Sequence, residues 1–296
     1  MGNKGKRLVL FGAGQMGAMT ARLVGAGCTA LCFADNAEKK WGSTLLGLPV
    51  VSPQEALRRE PDAVCLCVLD EERTEAMTRQ LHALGYTGEL LRISALELFD
   101  ARLATMRLLA EQLREEQIPG DAAELGVFRG DFAQWINAAF PERRLCLFDT
   151  FEGFAERDVA VEREERLSRA AAGDFSGTGV ELVRERLPHP EQAEFYKGWF
   201  PESFSLCGER KFAFVSIDAD LYAPTAAALP LFYDRLSPGG VLMVHDVNSL
   251  QYTGAGKAVR EFCRARGIFP MPVCDLHGSA VIRKNLRGLC RTGCSR

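Results

Sequence analysis

Short apolar runs bounded by turn residues recur along residues 1–92: KRLVLF, TALCFAD, DAVCLCVLD and a weaker one at GELLRIS. Runs of this length predict strands. Helical stretches lie between them: MGAMTARLVGAG ending at Gly25–Gly27, a short helix from Ser52 that Pro61 ends, and EERTEAMTRQLHALG stopped by Gly85. Strands spaced by single helices predict a parallel sheet with right-handed crossovers. In SALELFDARLATMRLLAEQLREEQ, apolar residues fall at Leu96, Phe99, Leu103, Met106, Leu109 and Leu113, a helical period closed by Pro119–Gly120. A second β–α series follows, with strands at AAELGV, RLCLFD, EFYKGW, FAFVSID and GVLMVHD and a last pair around MPVCDL and SAVIRK. The charged segment Ala155–Ala172 reads as a solvated loop or helix over the site.

The fold class is therefore α/β, with two Rossmann-like parallel-sheet domains. The expected division is a small domain at 1–92, a linking helix at 93–118, a larger domain at 119–285 and a flexible tail at 286–296. A length of 296 residues suits two domains. The linking helix carries enough apolar surface to join two chains as readily as two domains, so a homo-oligomer is compatible with it.

A net charge of −3, with Lys and Arg spread along the chain, excludes the clustered basic surface of a nucleic-acid binder. No apolar run reaches the ~18–20 residues that span a bilayer. Of the ten cysteines, Cys28, Cys32, Cys65, Cys67, Cys146 and Cys274 sit in or beside apolar runs, and none forms a CxxC pair. That pattern reads as reduced, buried thiols in a cytoplasmic protein. Cys290 and Cys294 fall in a basic tail, where so few histidines make a zinc site a poor reading.

Chemistry collects at the carboxyl ends of the second series, where open α/β sheets bind ligands. There the strands deliver Glu124 with Gly126 and Gly130 (ELGVFRG), Asp149 (LFDTFEGF), Asp218 and Asp220 (FVSIDADLYAPT), and His245, Asp246 and Asn248. One such residue is an ordinary turn or cap; several carboxylates together repel unless something positive sits among them. Glu124 suits an ammonium group and Asp149 the two hydroxyls of a ribose, while the loop lacks a phosphate-gripping lysine motif. A donor with ribose and an α-amino group but no phosphate is S-adenosylmethionine. Asp218, Asp246 and His245 form a candidate divalent-metal site for Mg²⁺ or Mn²⁺, although a histidine pulls toward softer ions. Asp220 or His245 could take a proton from an acceptor hydroxyl.

The stretch from about Phe99 to Lys284 resembles the macrocin O-methyltransferase (TylF-type) family, through AELGVFRGDFA, LFDTFEGF, GDFSGTGVELV, FYKGWFPESF, FVSIDADLYAPT, LSPGGVLMVHDVN and GSAVI in order. The resemblance implies a class I methyltransferase fold and S-adenosylmethionine-dependent, metal-dependent methylation of a hydroxyl on a sugar, glycan precursor or glycosylated natural product. It implies Asp218 and Asp246 as metal ligands and Asp220 as general base. Glu124, Gly126 and Asp149 are implied at the donor, and Asp174 and Ser176 of GDFS and Lys197–Phe200 of KGWF at the donor or acceptor border. His245 stands where family members carry a second carboxylate, so ligand, base and supporting roles all remain open to it. His82 and His189 read as surface residues, and His277 as a turn residue or an acceptor contact.

In the first domain, GAGQMG places Gly12, Gly14 and Gly17 after a strand and before a helix, with Asp35 about 20 residues on, as a dinucleotide fingerprint requires. This domain resembles the small N-terminal modules of sugar-modifying enzymes. NAD or a nucleotide-sugar is the ligand it would take, unless it only supports assembly. A nicotinamide-dependent oxidoreductase, or a nucleotide-sugar-binding protein without catalysis, is the alternative function.

Overall fold

The computed structural model describes residues 6–25, 27–94, 100–275 and 278–285. The chain divides into two compact units: the first runs to Asp100 and also takes in residues 274–277, and the second comprises 101–273 and the residues from Gly278 on.

In the first unit, β1 (Lys6–Phe11) leads through the glycine loop to α1 (Gln15–Leu23) and β2 (Cys28–Ala34). A hairpin of β3 (Thr44–Leu45) and β4 (Leu48–Val51) comes next, then α2 (Pro53–Leu57), β5 (Ala63–Leu66), α3 (Glu71–Ala83) and β6 (Glu89–Arg92). The sheet order is β3-β4-β2-β1-β5-β6, parallel except for the β3–β4 pair. Local chemistry sets the helix starts: the Ser52 hydroxyl caps α2 by accepting the Glu55 amide, and Asp70 caps α3 through the Arg73 amide. The β3–β4 hairpin lies in a segment that the periodicity left as a connection.

The second unit opens with α4 (Ala101–Glu115), shorter than the expected 94–117; residues 95–99 lie outside those described. This helix is part of the second unit rather than a free joint, because Met106, Ala110 and Leu113 are buried in one of its cores. Then follow β7 (Asp121–Leu125), α5 (Ala133–Ala139), β8 (Leu145–Asp149), α6 (Glu156–Glu164), α7 (Val180–Arg184) and β9 (Ala193–Lys197). β10 (Phe212–Ile217), α8 (Tyr222–Arg235), β11 (Leu236–Val244), α9 (Thr253–Arg266), β12 (Met271–Pro272) and β13 (Ala280–Arg283) complete it. The sheet order is β12-β13-β11-β10-β7-β8-β9. β13 inserts antiparallel between β11 and β12, and β9 through β11 are parallel. The order reverses at β7, which has β8 on one side and β10 on the other. That switch point is where such sheets take ligands.

Both faces of this sheet are covered, so β10 is buried along its whole length. On one face Phe148, Phe200, Phe204 and Phe232 stack on one another, with centroids 5.0 to 6.1 Å apart. Phe200 of KGWF is thus a core residue. The packed sheet holds the strand ends rigid. The described cysteines are free thiols; Cys28 is only half-buried and Cys274 is exposed, against the expectation of burial. The tail, with Cys290 and Cys294, and His277 lie outside the described residues.

Candidate active site

The buried run of β10 ends at Asp218, whose backbone amide still bonds back to Leu125 of β7. The last ladder bond of β11 is from the His245 amide to the Ile217 carbonyl at 2.8 Å. Two adjacent parallel strands therefore deliver Asp218 and His245–Asp246 to one point. The His245 Nδ1 lies 2.9 Å from Asp218 Oδ1 and 2.9 Å from Asp246 Oδ2. Asp220 and Asp246 both take left-handed backbone conformations, with φ of +56° and +55°. Non-glycine residues there cost about 1 kcal/mol or more, which the rigid strand ends sustain.

Sequence reasoning missed the residue that balances this cluster. Arg102, near the start of α4, places Nη1 3.0 Å from Asp218 Oδ2 and Nη2 3.3 Å from Ser216 Oγ, with its guanidinium 3.8 Å over the Phe132 ring. Arg102 stands four residues before Met106, on the same buried stripe as Ala110 and Leu113. A basic residue on an apolar stripe was the available signal.

The charges follow from these contacts. Burial alone would raise the Asp218 carboxyl, but His245 and Arg102 outweigh it and hold it well below the usual range. Burial opposes a charge on His245, yet Asp218 and the bond to Asp246 prevail and raise its pKa to about 10. Asp220 goes the other way: burial, the charges of Asp218 and Asp246, and a hydrogen bond with Asp246 push it well above the carboxylate range. Glu124, paired in register with Ser216, is 1% exposed, and burial raises it well above its ordinary value against the pull of Arg102. Its Oε2 has no hydrogen-bond partner, an open acceptor at the strand end where an ammonium group was expected.

The remaining residues expected at the donor hold the loops together. Gly126 has φ +83°, and a Cβ there would collide with the Asp218 carbonyl oxygen, so the loop needs glycine for packing as well as for conformation. Gly130, at φ +79°, abuts Val183. The Asp149 carboxylate accepts the amides of Val127, Phe128 and Phe151 at 2.7, 2.8 and 2.7 Å. Oδ2 therefore holds the glycine loop through two amides, and Oδ1 holds the turn after β8 through the third. Asp174 accepts the Ala171 amide through its side chain, and its carbonyl accepts the Phe154 amide at 2.9 Å. The Ser176 amide bonds to the Gly173 carbonyl. The Trp199 indole donates to Asp158 at 2.8 Å beneath the Arg157 guanidinium, and Lys197 pairs with Glu152 at 2.9 Å. His189 is a half-exposed loop residue whose amide bonds to Asn137.

In the first unit the fingerprint glycines also serve packing. A Cβ on Gly17 would collide with the Gly12 carbonyl, while Gly14 faces open space. Asp35 is 8% exposed and accepts the Ala13 and Ala37 amides and the Lys40 ammonium, each at 2.8 Å. Lys40 and two amides thus share the carboxylate that a ribose diol was expected to use. Among the described residues, no helix is long and apolar enough to cross a membrane.

One ligand atom each from Asp218, His245 and Asp246 lies within 4.8 Å of the others, a spread and donor set that fit one divalent ion. The family model for Macrocin-O-methyltransferase (TylF) matches residues 92–284, about two-thirds of the chain. The chain belongs to this family. As a TylF-family protein it is an S-adenosylmethionine-dependent O-methyltransferase, and the strand order of its second unit is that of the class I fold. It is 28% identical over 203 residues to the 8-demethyl-8-(2,3-dimethoxy-α-L-rhamnosyl)-tetracenomycin-C 4′-O-methyltransferase of Streptomyces olivaceus, covering 64% of this chain and 76% of that one. Over 157 residues it is 28% identical to the mycinamicin III 3″-O-methyltransferase of Micromonospora griseorubida, covering 49% and 62% of the two chains. Among solved structures, the calicheamicin methyltransferase CalS11 superposes with a TM-score of 0.52 at 21% identity, covering 72% of this chain and 93% of that chain. The O-methyltransferase NovP gives 0.50 at 23%, covering 62% and 80%. At that identity the structural likeness speaks for the fold.

Proposed function

We propose that this TylF-family protein methylates a hydroxyl of a sugar, either on a glycosylated natural product or on a glycan precursor. The carrying observation is the junction of a glycine loop with an acidic cluster, Asp218, Asp220 and Asp246, at one switch point. The relatives whose names specify rhamnosyl and macrolide acceptors support the choice of a sugar.

The donor's methionine end lies at the Gly126 loop, with its ammonium at Glu124. The sulfonium is positive, and the acidic cluster favours a cation there. The acceptor oxygen attacks the methyl carbon in line; a C–O bond forms, the C–S bond breaks, and the donor leaves as a neutral thioether. Holding the two partners in line accounts for much of the rate. Asp220 takes the hydroxyl proton. A carboxylate whose pKa is raised is a stronger base than an ordinary one, which is what proton abstraction near neutral pH requires. Asp218, His245 and Asp246 would hold a divalent ion, which when bound would acidify the acceptor hydroxyl. Arg102 keeps Asp218 ionised and oriented.

For the first unit no catalytic role follows. Its glycine loop is a nucleotide seat to be screened with NAD and nucleotide-sugars.

Calorimetry with S-adenosylhomocysteine, followed by methyl transfer from labelled donor to a glycoside panel with and without chelator, tests the reading. Saturable donor binding and transfer to a sugar hydroxyl are expected, with loss of at least ~100-fold in Asp246→Asn. Activity unchanged by chelator would remove the metal, and transfer to nitrogen or carbon acceptors alone would sink the proposal.

A further inference from the structure

Four aromatic rings form a row in the second unit, and the proposed chemistry uses none of them. Phe128, in the glycine loop, meets Phe175 edge-on at 5.3 Å; Phe175 meets Phe154 at 5.1 Å; and Phe154 meets Tyr252 at 6.1 Å. They come from four separate loops, which hydrogen bonds tie together. The Phe154 amide and carbonyl bond to the Asp174 carbonyl and the Gly173 amide, at 2.9 and 3.0 Å. Thr178 Oγ1 donates to the Phe128 carbonyl, and Arg129 Nε to the Gly177 carbonyl at 2.8 Å. The Ser249 hydroxyl accepts the Tyr252 amide at 3.0 Å, and Thr253 is bonded to the Leu167 carbonyl. Much of GDFSGT therefore works as a brace whose one large exposed side chain is Phe175, at 42% exposure.

The row leads to the reacting end. Ser249 ties Tyr252 to the acidic cluster: its amide bonds to the Asp246 carbonyl at 3.0 Å, and its hydroxyl accepts the Tyr252 amide at 3.0 Å. Phe175 sits at the tip of this braced turn, with φ +63°, its ring against those of Phe128 and Phe154. A pyranose has an apolar C–H face and a rim of hydroxyls. Aromatic faces bordered by carboxylates match both parts at once.

We propose that Phe128, Phe154, Phe175 and Tyr252 form a ledge that receives the apolar face of the acceptor's sugar ring beside Asp220. The assignment rests on the proposed sugar O-methylation and adds the residues that select the ring. The ledge contributes binding shared by ground state and transition state, so its loss raises KM and leaves kcat nearly unchanged.

The test is saturation-transfer NMR of methyl α-L-rhamnopyranoside on the full chain loaded with S-adenosylhomocysteine, with catechol as a planar control. The wild type is expected to transfer saturation to the ring C–H and methyl protons. Phe175→Ala should weaken this by about three- to tenfold, and Phe175→Tyr should keep it, with S-adenosylhomocysteine affinity changed less than about twofold. Absence of a glycoside signal in wild type that binds the thioether overturns the ledge. So does a Phe175→Ala protein that loses donor affinity and keeps the glycoside signal, or a Phe175-dependent signal from catechol alone. Wild type that fails to bind S-adenosylhomocysteine overturns the methyltransferase reading instead, a result separable from these.

Discussion

Replacing Arg102 by Met removes the fixed cation under the active site while keeping most of the volume on the α4 stripe. Asp218 then keeps only His245, and the buried Glu124 loses its nearest positive charge. Removing one partner of a buried pair costs roughly 3–5 kcal/mol. The Asp218 side chain is 22% exposed and that of Arg102 10%, which lowers the expectation to about 2–4 kcal/mol. Loss of the contact with Phe132 adds roughly 0.5–1 kcal/mol. The total expected is about 3 kcal/mol, taken from the second unit alone. A chain of two units does not unfold in one step, so the assay must report on one of them. Of the three tryptophans, Trp41 belongs to the first unit and Trp135 and Trp199 to the second. Urea unfolding followed by fluorescence in a Trp41→Phe background therefore reads the second unit. The double-mutant cycle of Arg102→Met with Asp218→Asn should show a coupling of about 1–3 kcal/mol. A coupling below about 0.5 kcal/mol, with Arg102→Met as stable as its parent, would refute the role of Arg102 as the partner of Asp218.

His245 makes stability depend on pH in a definite direction. Its folded pKa of about 10 exceeds the unfolded value, so its contribution is full below about pH 6.5 and is lost as pH rises toward 10. Roughly 3–5 kcal/mol should fade across that window in urea titrations, and His245→Gln should flatten the slope; equal slopes would contradict the ion-paired imidazole. Asp218 acts in the opposite sense, with stability lost as pH falls through and below the ordinary carboxylate range, a limb that Asp218→Asn should remove. Gly126→Ala should cost more than about 2 kcal/mol because it combines positive φ with a collision against the Asp218 carbonyl, and a melting temperature within a degree or so of wild type would show that the two loops can part. Phe232→Ala opens a cavity in the aromatic stack and should cost roughly 3–5 kcal/mol by the same urea assay.

The longer strands of both sheets were legible because runs such as FAFVSI must be apolar to lie inside a parallel sheet. The convergence of Asp218, His245 and Asp246 was legible because adjacent parallel strands end at the same edge. The β3–β4 hairpin was not: strands of two and four residues, one holding Pro49, are too short to show a period. Arg102 escaped because a helix rich in Arg and Glu hides one charge on its apolar stripe, and only long-range contact with Asp218 gives it meaning. Asp149 illustrates a different limit. Its position at the end of β8 was read correctly, but spacing cannot tell that three backbone amides already claim its carboxylate.

The absence of a side chain at Gly126 lets the turn proposed to seat the methyl donor rest directly on the carbonyl of Asp218. Glycine loop and acidic cluster are thus two sides of one wall. A substitution that shifts either shifts both, so this region has little freedom to drift as a lineage takes up new acceptors. The freedom lies in the loops that carry Phe154, Phe175 and Tyr252, which can change their side chains without moving the wall. Divergence of acceptor preference within this fold should accumulate there first, while the reacting atoms stay fixed.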